Sequence, residues 1–265
     1  MKRFCIIGYG FVGKAIESVL EDKHSIYIID PGHNLFVKHT VKKAIHADGF
    51  IISVPTPDVN GQCDDSLVLK YVDEIHEHFP YSHILIKSTT SIETLKYVKN
   101  RHKSVTFSPE FLGSDTSNDT NKQFQECDFA IYGGTGGRWW HEVFKQLITY
   151  KNVRFLDIES AGFLKYTENA FLALKVTFFN EIHNLYNNTV NTNYDGMIEA
   201  LALDTRIGMS HTQVPGPDGF YGFGGHCLPK DTGEFSRYAK ENNTPLDLLD
   251  KAIAINTKLR KQPNN

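Results

Sequence analysis

The stretch Phe4-Cys5-Ile6-Ile7-Gly8-Tyr9-Gly10-Phe11-Val12-Gly13-Lys14-Ala15-Ile16 joins an apolar run, a Gly-x-Gly-x-x-Gly turn and a helical pattern that continues through Val19 and Leu20. A second apolar run, Ser25 to Ile29, ends at Asp30. Strand, glycine turn, helix, strand and acid in this order form the layout of a dinucleotide site. Gly8 permits the tight turn. Gly10 lets a pyrophosphate approach the helix N-terminus, where unpaired N–H groups and the dipole favour anions. Phe11, Val12 and Gly13 complete that cradle. Asp30 can accept hydrogen bonds from the adenosine ribose hydroxyls and would repel a 2′-phosphate, so NAD is the expected cofactor. A plain strand–helix–strand turn would not explain Asp30.

Apolar strand candidates recur at Phe4–Ile7, Ser25–Ile29, Gly49–Val54, Ile84–Lys87, Val105–Ser108, Phe129–Tyr132 and Val153–Leu156. Helical patterns lie between most of them, at Phe11–Glu21, Leu35–Ala44, Ser66–His78, Ile92–Arg101 and Arg138–Thr149. This alternation predicts an α/β fold, a Rossmann-like doubly wound sheet with ligands at the carboxyl ends of its strands. After about Asp157 the pattern changes. Ser160 is a plausible N-cap for a long helix running from Ala161 to about Asn187, apolar on more than one face. Further helices are expected at Tyr194–Leu203, Leu228–Glu241 and Leu246–Lys258, with a long loop over Arg206–His226. The reading is a cofactor-binding domain over 1–158, then a long connecting helix and a small all-α domain over 159–265.

The 265 residues carry a net charge of −3 with 40% hydrophobic and 22% charged residues, a mild balance that argues against a nucleic-acid or membrane-surface partner. Apolar runs are strand-sized, and the glycine turn arrives too early for a secretory signal. Cys5, Cys63, Cys127 and Cys227 show no close pairing, which suits free thiols in a reducing cytoplasm. Cys5 is read as a small buried hydrophobe, and Cys63 and Cys127 as inert. No metal site is expected. Trp139-Trp140 is read as helix packing.

Several motifs end strand candidates: Val54-Pro55-Thr56-Pro57, Lys87-Ser88-Thr89-Thr90 and Ser108-Pro109-Glu110-Phe111-Leu112. Lys165 and Asn169 stand at i, i+4 on the long helix, where they could equally be a solvated face. Gly222-Phe223-Gly224-Gly225-His226-Cys227-Leu228-Pro229-Lys230-Asp231 places a thiol behind a glycine-rich run and beside a lysine, a setting that favours a nucleophilic cysteine. Glu110 could instead be a structural acceptor, and Lys230 a surface ion.

Taken in order, these motifs resemble the UDP-glucose/GDP-mannose dehydrogenase family over nearly the whole chain. Val214-Pro215-Gly216-Pro217-Asp218-Gly219 looks most like the bacterial-type UDP-glucose members. The resemblance implies NAD-dependent, metal-free, four-electron oxidation of the C6 hydroxyl of a nucleotide sugar. Cys227 would form a thiohemiacetal and then a thioester. Lys165 and Asn169 would hold the sugar oxygen and an ordered water. Asp231 and Glu110 are candidates for the hydrolysis step, and Thr89 for ordering water. Pro55, Thr56, Thr89 and Lys230 would join the cofactor site, with Lys230 alternatively serving substrate or thiol. Phe111, Leu112, Phe223, Gly224, Gly225 and Arg206 would bind substrate, Arg206 reaching a neighbouring subunit's sugar.

The sequence also departs from the pattern. Members of the family continue into a third, nucleotide-gripping domain, so most of the nucleotide grip is expected to be missing from these 265 residues, whether another chain supplies it, the sequence is a fragment of a longer protein, or the substrate is held less tightly or differs; Ser114, followed by Asp115, stands where a second glutamate is common. Two other readings follow: a two-electron dehydrogenase of the β-hydroxyacid type, for which Cys227 is superfluous, or a short NAD-binding, non-catalytic partner of a full-length enzyme. The apolar surface of the 160–190 helix predicts a homodimer through it.

Overall fold

The computed structural model describes residues 1–32, 41–44, 46–59, 61–111, 127–190 and 192–261. The chain divides into two compact units, Met1–Val59 with Cys63–Lys165, and Asn60–Gln62 with Tyr166–Asn265.

The strands are β1 (Arg3–Ile7), β2 (Ser25–Ile29), β3 (Gly49–Ile52), β4 (Asp58–Val59), β5 (Gln62–Cys63), β6 (His83–Ile86), β7 (Val105–Phe107), β8 (Phe129–Gly133) and β9 (Asn152–Leu156). β4 and β5 form a separate two-stranded ribbon, and the other seven form one sheet in the order β2-β1-β3-β6-β7-β8-β9. The sheet is parallel except where β8 runs against β7, with Phe107 opposite Gly133.

The central strands β1, β3 and β6 are short and largely apolar on both faces because both faces are covered. Alternate residues of β1 serve opposite layers. Phe4 and Ile6 pack with Ala15, Ile16, Val19 and Leu20 of α1 (Phe11–Leu20), and with Trp140, Val143 and Phe144 of α4 (Gly137–Phe144). Cys5 and Ile7 pack with Val68, Val72 and Ile75 of α2 (Ser66–His78), and with Leu95 and Val98 of α3 (Ile92–Arg101). Trp140 is fully buried and so close to Gly49 that a Cβ there would lie 2.8 Å from its ring. The chain runs from β1 out to β2 and returns to β3 on the other side. The order therefore reverses between β1 and β3, whose carboxyl ends lie side by side.

A single helix, α5 (Ile158–Thr189), spans 32 residues, about 48 Å at 1.5 Å per residue. It starts earlier than the sequence predicts, and Ser160 is not its cap. The carboxylate of Asp157 accepts from Ser160 N–H at 2.8 Å and from Ser160 O–H at 2.6 Å. A carboxylate offers two charged acceptors where serine offers one hydroxyl, and the bonds to Ser160 hold Asp157 below its ordinary pKa. The second unit contains the rest of α5, α6 (Tyr194–Leu201), α7 (Cys227–Glu241) and α8 (Asp247–Leu259). Phe179, Tyr194, Ile198 and Val214 form a small core there.

Most of the predicted helix Leu35–Ala44 falls outside the described residues; its described end is a 3-10 turn, Val41–Lys43. The β4–β5 ribbon was not expected, since two-residue strands carry no periodicity. Among the described residues, no helix is long and apolar enough to cross a membrane.

Candidate active site

In the first unit the glycine turn sits at the strand-order reversal. Gly8 has φ +92°, and a Cβ on it would lie 2.5 Å from the Ser53 carbonyl oxygen. A Cβ on Gly13 would lie 2.3 Å from the Gly8 carbonyl oxygen. These two glycines are there for close packing of turn, helix and strand. Gly10 differs, because a Cβ on it would meet nothing within 4 Å. It is the N-cap of α1, where no side chain caps the helix and no acid occupies the first turn. The N–H groups of Phe11, Val12 and Gly13 thus head a helix whose first turn carries no acid. Asp30 follows β2, and its two oxygens accept from the N–H of Tyr9 and of Gly32, both at 2.7 Å. Each oxygen keeps a further lone pair for a hydroxyl. These features fit a dinucleotide.

Beyond β3, Pro55 is exposed and Thr56 half-buried. Beyond β6, Thr89 is half-buried, and its carbonyl accepts from the Cys63 thiol at 3.6 Å. Lys87 is buried, and its Nζ lies 3.1 Å from Glu110 Oε2 and 3.4 Å from Ser108 Oγ. Glu110 is therefore an ion-pair partner rather than a plain acceptor of backbone bonds, and Lys87 is a member that motif reading did not single out. The Lys165 ammonium sits 4.9 Å over the Phe111 ring. Leu112, Ser114 and Asp115 lie outside the described residues.

In the second unit Cys227 is exposed and is the first residue of α7, again with no side-chain cap and no acid in the first turn. The positive end of a helix dipole at such a terminus favours negative charge. None of the four cysteines is in a disulfide. Cys5 is fully buried, which pushes its thiol pKa far up. Asp231, one turn along α7, is 1% exposed. Its Oδ2 accepts from Asn169 Nδ2 and its Oδ1 from Lys230 Nζ, both at 2.5 Å. Asn169 is itself 4% exposed, so it is not part of a solvated face, and the Lys230 side chain is only 11% exposed, so it is not a surface ion. The structure thus joins Asn169, Lys230 and Asp231 in one buried network, with Asp231 doubly engaged. Arg206 is exposed and folded back onto Asp204.

Of the glycine run, Phe223 is buried, Gly224 half-buried and Gly225 exposed with φ +74°. Sequence reading missed the groups that hold it: Asn180 of α5, Asn256 of α8, and the Asp218–Arg260 ion pair. A signal existed for Asn256. It shares a helical face with Leu249 and Ala252, so it is a polar residue in a core register.

Residues 159–258 match the central domain of the UDP-glucose/GDP-mannose dehydrogenase family. The UDP-glucose 6-dehydrogenase of Bacillus subtilis is 29% identical, over 98% of this chain and 64% of its own length. That of Rhizobium meliloti is 30% identical, over 88% of this chain and 58% of its own. The chain thus spans about six-tenths of the curated relatives it matches. A UDP-glucose dehydrogenase structure from Pyrobaculum islandicum superposes with TM-score 0.79 at 22% identity, covering 97% of this chain and 68% of that one, which shows the shared fold. With the glycine turn, the Lys-x-x-x-Asn helix and the cysteine segment in family order, the chain belongs to the UDP-glucose/GDP-mannose dehydrogenase family.

Proposed function

We propose that this chain carries the catalytic machinery of an NAD-dependent nucleotide-sugar 6-dehydrogenase, with UDP-glucose as substrate. Residues 1–158 would bind the cofactor, and 159–265 would supply the nucleophile and the dimer contact. The observation that carries this reading is the exposed Cys227 at the head of α7, beside the buried Asn169–Asp231–Lys230 network. A two-electron dehydrogenase has no use for that thiol.

Bound NAD⁺ would accept one hydride in each of two oxidations. In the first, the C6 hydroxyl loses its proton to water while Lys165 and Asn169 hold the oxygen, and a lysine there stabilises the developing negative charge. The Cys227 sulfur then bonds to the aldehyde carbon and the carbonyl oxygen takes up a proton, giving a thiohemiacetal. After the second oxidation the carbon is a thioester. Water adds to it, the carbon–sulfur bond breaks, and carboxylate and thiolate part. Both Asp231 oxygens are engaged, which suits it to fixing Asn169 and Lys230. Lys87 holds Oε2 of Glu110, leaving Oε1 as the proposed acceptor of the water proton. Thr89 would order that water, and Arg206 would reach the sugar bound by a second copy. That second copy is proposed to dock on α5, where Phe171, Phe178 and Leu185 are 63%, 55% and 59% exposed at seven-residue spacing.

The test is NADH formed per UDP-glucose consumed by the purified chain. Two per sugar is expected, with turnover abolished in Cys227→Ser. One per substrate, indifferent to thiol alkylation, would replace this reading with the two-electron one. NAD binding without turnover on any nucleotide sugar would replace it with a non-catalytic partner.

A further inference from the structure

We propose that Asn180 and Asn256 are positioning residues that set the location of Cys227 by gripping the backbone four to five residues before it. The proposal rests on reading Cys227 as the nucleophile. Gly222 and Phe223 are buried, and buried backbone N–H and C=O groups need partners. Among the described residues, no strand runs beside them. Asn256, itself 7% exposed, substitutes for one: its Oδ1 accepts from Phe223 N–H at 2.7 Å, and its Nδ2 donates to the Phe223 carbonyl at 3.0 Å. Asn180, 3% exposed, donates from Nδ2 to the Val176 carbonyl at 2.8 Å, which turns its Oδ1 toward Gly222 N–H at 2.9 Å.

The grip leaves no slack. Gly222 has φ +78°, and a Cβ on it would lie 2.3 Å from Asn256 Oδ1. A Cβ on Gly224 would lie 2.6 Å from Arg260 Nη2 and 2.8 Å from Asp218 Oδ2, across an ion pair of 2.8 Å. The segment entering α7 is therefore held by two helices and an ion pair up to Gly224, and Cys227 follows after two more residues. The Asn256 amide accepts from and donates to Phe223 through two separate atoms; an aspartate keeps the shape and loses the donor.

The experiment compares Asn256→Ala, Asn256→Asp and Asn180→Asp in the full chain. Iodoacetamide alkylation is followed on the separate Cys227 and Cys127 peptides by mass spectrometry, together with hydrogen exchange over 220–227. One lost hydrogen bond of ordinary strength corresponds to roughly a fivefold effect. Exchange over the segment is expected to quicken, and Cys227 alkylation to slow, by about that factor, because the thiol is already accessible and loses only its fixed place at the helix terminus. Cys127 is expected to react unchanged. Where the parent forms two NADH per sugar, the Asp variants are expected to release aldehyde and fall toward one, with KM kept. Unaltered Cys227 alkylation and exchange would overturn the proposal, as would loss of folding in all three variants or equal loss of both oxidation steps. Retention of two-NADH turnover by Cys227→Ser would instead sink the nucleophile reading, and alkylation and exchange would still decide the positioning.

Discussion

Gly8 and Gly10 stand two positions apart and make opposite demands on a substitution. Gly8→Ala puts a side chain at positive φ and into the Ser53 carbonyl, and is expected to destabilise by about 2 kcal/mol or more. Gly10→Ala meets only open space, so stability should hold within ~0.5 kcal/mol, as for ordinary surface changes. Its methyl would occupy the place of the pyrophosphate, and NAD⁺ affinity is expected to fall roughly tenfold, about 1.4 kcal/mol. Urea unfolding and an NAD⁺ titration separate the two. Equal losses of stability would refute the distinction. Asp231→Ala leaves the Lys230 ammonium in a nearly closed site without its carboxylate and is expected to cost on the order of 3 kcal/mol. A loss below about 1 kcal/mol in the same unfolding assay would show that Lys230 swings out to water instead.

Among the elements, those whose sequence period matches one buried face were legible. β2, α2 and α3 occupy the expected residues, because an apolar run or a 3.6-residue apolar stripe leaves one solution. The start of α5 was misjudged because Ser160 looks like a cap, and only the fold shows that its N–H and O–H bond to Asp157. The candidate nucleophile and the glycine turn were legible as motifs. The grip of Asn180 and Asn256 was not, since each bonds to backbone 42 and 33 residues away. The exposed stripe on α5 gives a prediction at this scale. Phe171→Lys with Phe178→Lys removes apolar surface that already faces solvent, so unfolding should change little while light scattering falls to the mass of one chain. A parent that is already monomeric would remove the dimer proposal.

Three histidines of the first unit make a second prediction. His24 precedes β2, His83 opens β6 and His102 follows α3. Burial is the main cause that lowers all three pKa values below the ordinary 6.5, with the nearby N-terminus, Lys2 and Lys23 adding to the effect at His24. His102 is 1% exposed, with Nε2 on the Ser82 carbonyl at 2.8 Å, and His83 stacks on Trp139 at 3.9 Å. The fold therefore prefers them neutral. Above pH 6.5 both folded and unfolded states hold them neutral and they contribute no pH dependence. Below it the unfolded chain binds more protons, so stability falls, levelling off once the folded histidines also protonate. The urea midpoint is expected to drop between pH 7.5 and 5.5, and to drop less in His102→Gln. A midpoint that rises on acidification would contradict this.

For the whole molecule, the division into two units separates two kinds of ligand dependence. The features that fit a dinucleotide belong to the first unit: the open Gly10, the uncapped head of α1, and Asp30. Cys227 belongs to the second. A ligand that binds only the folded state stabilises it by about 2.7 kcal/mol at one hundred times its Kd. For a unit of this size that raises the melting midpoint by about 5–10 °C. NAD⁺ is expected to produce such a shift, and Cys227→Ser to leave it intact, because the thiol contributes to chemistry and not to holding the cofactor. NADP⁺ is expected to protect far less, since its 2′-phosphate would face the Asp30 carboxylate. Equal protection by NADP⁺ would remove Asp30 as the selecting group. No protection by either dinucleotide would overturn the cofactor assignment and, with it, the hydride acceptor that both oxidation steps require.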